Sequence, residues 1–161
     1  MRDQFGRDVH PDYAQLREQL FALGSTSEQP AAGQVLAAVM YVGFELGAAT
    51  LVALPDGTTT MYTSGGGAIL GAGEQADVAA AAQVYIEATR QSLPDFVITT
   101  DTALPAPDDV TLRALTSDAR YAVTVNVEQL RTGTHPLTRA YAAAQLVITA
   151  VRAAVEAGEE I

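Results

Sequence analysis

Five glycines fall within the nine positions from Gly65 to Gly73, between a threonine-rich run and an alanine-rich run. Glycine loses more backbone entropy on folding than any other residue, so this density indicates a bend that needs positive φ or close backbone approach. The preceding residues, Thr58–Thr63, favour an extended strand, whereas Asp77–Leu93 places apolar side chains on one helical face. The stretch therefore predicts a strand, a tight structural bend and a helix.

Apolar spacing of three and four residues predicts two more helices, Asp12–Leu23 and Pro136–Ala157, the second with Thr134 as its N-cap. β-Branched and aromatic content predicts the other strands. These are Val35–Phe44, Ala49–Leu54, Val110–Thr116 and Ala119–Val127. The order α-β-β-β-α-β-β-α predicts an α+β fold, with one mainly antiparallel sheet of about five strands and helices packed on it.

A length of 161 residues predicts one domain over 1–161, with a flexible N-terminus at 1–10 and a surface loop at 94–109. Residues 31–54 contain Glu45 as their one charge, a span long enough for a membrane helix. Two buried strands are favoured, because Gly43 and Gly47 bracket Glu45 at an expected hairpin tip. The lack of Cys and of an apolar leader predicts a cytoplasmic protein.

The formal net charge is −10, and all nine basic residues are Arg because the chain has no Lys. Chemistry that depends on lysine, such as a phosphate-loop lysine or a Schiff base, is excluded. Binding to nucleic acid or to an anionic membrane is not expected, since both need clustered positive charge.

The segment Gly71–Ala76 matches the G-x-G-x-x-A form of the dinucleotide fingerprint, in which backbone N–H groups at a helix start bind pyrophosphate. The preceding strand is short, a second parallel strand is missing, and Glu74 places negative charge where phosphate would bind. A small-ligand or nucleotide site at the bend remains the alternative function. Its candidate residues are Ser64, Gly65, Gly66, Gly67, Gly71 and Gly73.

No catalytic constellation is visible around the two histidines, His10 and His135, because no oriented nucleophile accompanies either one. Surface or capping roles are predicted for both. The acidic pairs 108–109 and 159–160 are interpreted as solvated charges, since no third metal ligand falls at a recognisable spacing. We therefore expect no enzyme activity, no cofactor and no metal.

The last predicted helix is apolar over more than one stripe, which indicates that more than one side is covered. The candidate interface residues on it are Leu137, Tyr141, Ile148, Val151 and Val155. The leading hypothesis is a self-associating protein-interaction module, expected to be a homodimer.

The element order, with a long helix between a meander and a hairpin, resembles the roadblock/profilin-like class of small α/β domains. The Asp56-Gly57 turn and the glycine bend that follows it also resemble those of an uncharacterised bacterial protein family, whose members have a similar glycine-rich bend. The roadblock resemblance implies a homodimerising scaffold that binds a small GTPase or another protein, and it implies no catalytic residue.

Overall fold

The computed structural model describes residues 3–21, 34–65, 68, 69, 75–117 and 119–156, which form four α-helices, a short 3₁₀ helix at Leu93–Asp95 and seven strands. The helices are α1 Pro11–Phe21, α2 Ala76–Gln91, α3 Val127–Arg131 and α4 Thr138–Glu156. The strands are β1 Val35–Gly43, β2 Ala48–Ala53, β3 Thr59–Thr63, β4 Ala68–Ile69, β5 Val97–Ile98, β6 Asp109–Thr116 and β7 Arg120–Asn126.

The strands form one antiparallel sheet in the order β4-β3-β2-β1-β6-β7-β5. The α+β class and the antiparallel sheet are confirmed. The five predicted strands correspond to β1, β2, β3, β6 and β7. The count of about five is too low, because the two-residue strands β4 and β5 extend the edges. Predicted strand 119–127 ends at Asn126, whose side chain caps the unpredicted helix α3 by accepting from the Glu128 N–H at 3.0 Å.

The predicted turns have the expected geometry. Glu45 is exposed at the tip of the β1–β2 hairpin, so the described part of the apolar run folds as two strands. Gly57 has a φ of +92°, and a Cβ there would lie 2.9 Å from the Cβ of Ala79 in α2. Glycine is therefore required at this turn both for its backbone conformation and for helix packing.

One face of the sheet is covered by α2 and α4. Val78, Ala82 and Tyr85 of α2 are buried against the sheet together with the inward side chains of α4. Leu112 of β6 and Met40 of β1 contribute from the sheet side. We name this side the helix face; its packing follows the apolar periodicity of the two helices.

The opposite face is covered by α1 and by residues 99–106, and we name it the tyrosine face. Tyr13 of α1 packs edge-on against Tyr62 of β3 with ring centroids 5.2 Å apart. The hydroxyl groups of Tyr13 and Thr50 are 2.6 Å apart and hydrogen-bonded. Tyr41 of β1 is fully buried beneath them. The sheet is thus buried from both sides in a three-layer arrangement.

Residues 3–10, predicted to be part of a flexible N-terminus, instead pack on the tyrosine face. Arg7 and Val9 are each 6% exposed, and the His10 N–H donates to the Ser64 carbonyl at 2.8 Å. The prediction failed because the anchors are a charged side chain and backbone groups, which leave no apolar periodicity in the sequence.

No helix in the described part of the chain has the length and apolarity to cross a bilayer.

Candidate interaction surface

Three arginines bind the backbone of residues 99–106, which we name the clamped loop. Arg113 of β6 donates to the carbonyl oxygens of Asp101 at 2.6 Å and Ala103 at 3.2 Å. Arg17 of α1 donates to the Thr102 carbonyl, and Arg7 donates to the Pro105 carbonyl at 2.6 Å. Each guanidinium carries several fixed donors, so one side chain can hold two or more carbonyl groups.

Arg113 is a charged residue in a buried strand, with 3% of its surface exposed. Burial lowers the pKa of its guanidinium, because the charged form loses solvation. Its guanidinium carbon lies 5.8 Å from the ring centroid of Tyr41, and that of Arg17 lies 5.4 Å from the same ring. Carbonyl oxygens and the aromatic face of Tyr41 therefore replace water around the guanidinium of Arg113.

Arg7 joins three separate segments at one corner of the sheet. Its Nη1 donates to the carbonyl oxygens of Phe44 at 2.8 Å and Gly47 at 3.0 Å, both in the β1–β2 turn. Its Nε donates to Asp3 at 2.7 Å, while its Nη2 holds Pro105 of the clamped loop. These bonds fix the N-terminal segment, the hairpin tip and the loop relative to one another.

Large apolar side chains are exposed at the corner that Arg7 assembles. Phe5 is 46% exposed, Phe44 54% and Leu46 90%. The Phe5 ring centroid lies 5.0 Å from the guanidinium carbon of Arg7, and Nη1 of the same guanidinium donates to the Phe44 and Gly47 carbonyls. We name Phe5, Phe44 and Leu46 the corner patch.

A groove of about 320 Å³, which Phe5 of the corner patch helps to line, crosses the tyrosine face of β6 and β7. Phe5 lines one end and Val97 of edge strand β5 lines the other. Between them lie Asp101, Asp109 and Arg113, and the Thr111 and Thr124 hydroxyl groups are 2.7 Å apart across the two strands. The lining of the groove combines apolar and polar side chains.

Of the candidate residues for the alternative ligand site at the glycine bend, the structure describes Ser64 and Gly65. Ser64 is 3% exposed; its Oγ accepts from the Ala48 N–H and its own N–H donates to the Ala48 carbonyl, each at 2.8 Å. Gly65 has no positive φ, and a Cβ there would meet only Thr63 Oγ1 at 3.8 Å. Ser64 therefore has a structural role in pairing with β2. At position 65, neither the backbone conformation nor the packing requires glycine, contrary to the prediction. Gly66, Gly67, Gly71 and Gly73 lie outside the described residues.

The interface predicted on the last helix is wrong at two of its five residues. Leu137 is 0% exposed and Val151 1%, because α4 is covered by the sheet on one side and by α2 on another. Tyr141 and Ile148 are partly buried in the same core, and Val155 is 48% exposed. The wide apolar surface of α4 is therefore explained by packing within one chain.

The two histidines have the predicted capping geometry. His10 Nδ1 accepts from the Asp12 N–H and His135 Nδ1 accepts from the Leu137 N–H, each at 3.1 Å. Thr134, predicted as the N-cap of α4, instead donates its hydroxyl to the Gln129 carbonyl at 3.2 Å.

Sequence reasoning missed Arg7, Arg113 and the corner patch. Two signals were present: Arg113 interrupts an otherwise buried strand, and Phe44 and Leu46 flank Glu45 at a predicted hairpin tip. A charge in a buried strand and large apolar residues in a turn are both unusual, and both point to a specific contact.

No protein-family model matches the chain, and neither a curated protein nor a solved structure is similar to it.

Proposed function

We propose that this chain is a non-enzymatic, cytoplasmic protein-interaction module that binds its partner through the corner patch. The observation that carries the proposal is the exposure of Phe5, Phe44 and Leu46. The backbone near these residues is held in place by hydrogen bonds from the Arg7 guanidinium to the β1–β2 turn and to the clamped loop. Apolar side chains exposed together in this way are typical of binding surfaces.

The size and rigidity of the patch support this proposal. With about 200 Å² for a fully exposed large side chain, the three exposed fractions give roughly 400 Å². Joined as one surface, this area would fall within the range of about 300–600 Å² for the largest, often functional, patch of a monomer. Because hydrogen bonds already order the hairpin tip and the N-terminal segment, little conformational entropy is left to lose on binding.

The resemblance to roadblock-like domains adds a second copy and a small GTPase as candidate partners, by analogy alone. Self-association through α4 has lost support, since Leu137 and Val151 are buried in the chain's own core. Leu146 and Val155 are the large apolar residues exposed on described α4. They are nine positions apart, about half a turn out of phase, and so share no face.

A peptide selection tests the proposal. Random peptides displayed on phage are selected on the purified protein, and the affinity of enriched peptides is measured by fluorescence anisotropy. The patch variant is Phe44→Ser/Leu46→Ser. The matched control is Val84→Ser/Leu146→Ser, which removes similarly exposed side chains from the helix layer.

We expect enriched peptides that bind the wild type and the control equally and the patch variant at least about tenfold more weakly. Peptides that bind the patch variant as tightly as the wild type would place the interaction elsewhere. Failure to enrich any peptide would count against an interaction module of this kind.

A further inference from the structure

The charges around the corner patch identify the kind of partner. Glu45 and Asp108 are exposed beside it: Glu45 lies between Phe44 and Leu46, and the Asp108 N–H donates to the carbonyl of Gly43 at 3.3 Å. The cation at the corner, Arg7, is 6% exposed and paired with Asp3 at 2.7 Å. The solvent-facing charges next to the apolar surface are therefore negative.

The groove contains carboxylates together with the guanidinium of Arg113, and half-buried Arg120 lies near enough to Arg113 to interact with it electrostatically. Asp101 is exposed and Asp109 is half-buried along its wall. The guanidinium of Arg113 is turned to the carbonyl oxygens of Asp101 and Ala103 and is almost fully covered. A chain segment anchored at Phe5 would thus pass carboxylates on its way into the groove. The net charge of −10 adds a long-range field of the same sign.

We propose that the partner is a short polypeptide segment in which apolar anchors are flanked by Lys or Arg, seated on the corner patch and leading into the groove. This inference rests on the proposed function. Charge complementarity favours basic flanks, which gain from Glu45 and Asp108 and increase the association rate. The anchors supply the apolar contact area.

Charge argues against a second copy as the occupant. Two copies would bring like charges together, since Glu45 and Asp108 would meet their own counterparts or lie near them in a symmetric contact.

The test uses two labelled synthetic peptides that share one Leu- and Phe-containing core, one flanked by lysines and the other by glutamates. Binding is measured by fluorescence anisotropy at low and high salt. The charge variant is Glu45→Lys/Asp108→Asn. Asn is chosen because Asp108 has a φ of 68°, which Asn tolerates well. The control, Glu156→Lys/Asp95→Asn, makes the same charge change at exposed positions away from the patch.

We expect the lysine-flanked peptide to bind the wild type about threefold to tenfold more tightly than the glutamate-flanked one, with the difference shrinking at high salt. The charge variant should abolish or reverse this preference, and the control should keep it. Equal binding of both peptides, still lost in Phe44→Ser/Leu46→Ser, would overturn the basic-flank inference while leaving the proposed function intact. Binding of neither peptide, or binding unaffected by the patch variant, would count against both.

Discussion

The two faces of the sheet are closed by different physical means. The helix face is covered by α2 and α4 through regularly spaced apolar side chains such as Val78, Tyr85 and Val147. The tyrosine face is covered by α1 and by a loop whose backbone is held by Arg7, Arg17 and Arg113. On the second face, the polar clamping leaves the groove that Phe5 and Val97 line. The proposed binding surface combines this groove with the exposed side chains of the β1–β2 turn.

High pH should destabilise mainly the tyrosine face, and among these predictions it should give the largest loss in the free energy of unfolding. Burial raises the pKa of Tyr13 to about 12 and also raises those of Tyr41, Tyr62 and Tyr85, and three of these four residues lie on that face. A tyrosine that ionises later in the folded state contributes stability that is complete below pH 10 and is lost between pH 10 and about 12. Tyr13, and each other tyrosine whose pKa is raised at least as far, should cost about 1.4 kcal/mol per pH unit there.

Urea unfolding at a series of pH values measures this loss. Tyr13→Phe should lose about one such increment less per pH unit than the wild type. An identical pH dependence for the two proteins would contradict the raised pKa of Tyr13.

Adjacent residues of β6 offer a direct contrast between the faces. Leu112→Ala removes a side chain that is 1% exposed on the helix face and should cost about 2–5 kcal/mol. Arg113→Met should cost about 1–3 kcal/mol, because the Asp101 and Ala103 carbonyls lose their charged donor. Hydrogen exchange should speed up in residues 99–106 selectively in the Arg113 variant. Equal protection of this loop in both variants would show that the arginine does not clamp it.

Gly43 and Gly65 differ in how much they need to be glycine: the first lies against the backbone of another segment, and the second does not. A Cβ at Gly43 would lie 2.0 Å from the carbonyl oxygen of Ala106, so Gly43→Ala must displace the loop and should cost about 1–3 kcal/mol. Gly65→Ala should change the free energy of unfolding by less than about 0.5 kcal/mol, since its Cβ meets only ordinary contact. Chemical denaturation of both variants measures the difference. The opposite ranking would refute the packing described at the hairpin.

The smallest stability effect is expected at the corner patch. Phe44→Ser/Leu46→Ser changes exposed side chains and should shift the free energy of unfolding by about 0.5 kcal/mol or less per site, as should Val84→Ser/Leu146→Ser. Thermal and urea unfolding of the two double variants should agree. Marked destabilisation of the patch variant alone would indicate that Phe44 and Leu46 serve folding rather than binding.

Much of the fold could be predicted because the helix face obeys simple periodicities. Tyr85 in α2 and Val147 in α4 each belong to a set of buried residues at helical spacing. Val125 is buried between two exposed neighbours in its strand. The interface on α4 was mispredicted because a sequence does not show whether an apolar stripe is covered by its own chain or by another. Leu137 was covered by its own chain.

The clamped loop and the corner could not be predicted, because guanidinium-to-carbonyl bonds join residues far apart in sequence and depend on backbone atoms that every residue has. Arg7 and Pro105 are 98 positions apart, and the acceptor is a backbone carbonyl, so the residue type at position 105 does not indicate the contact. Only the unusual placement of Arg113 and Leu46 gave a signal, and it did not specify a partner for either one.

Site-specific photo-crosslinking in the native cells tests most directly whether the corner is the binding surface. Leu46 in the β1–β2 turn and Leu146 on α4, both largely exposed, are replaced in turn by p-benzoylphenylalanine. We predict a discrete adduct with one other protein from position 46, suppressed by Phe5→Ser/Phe44→Ser, and none from position 146. An adduct from position 146 with none from position 46 would contradict the assignment.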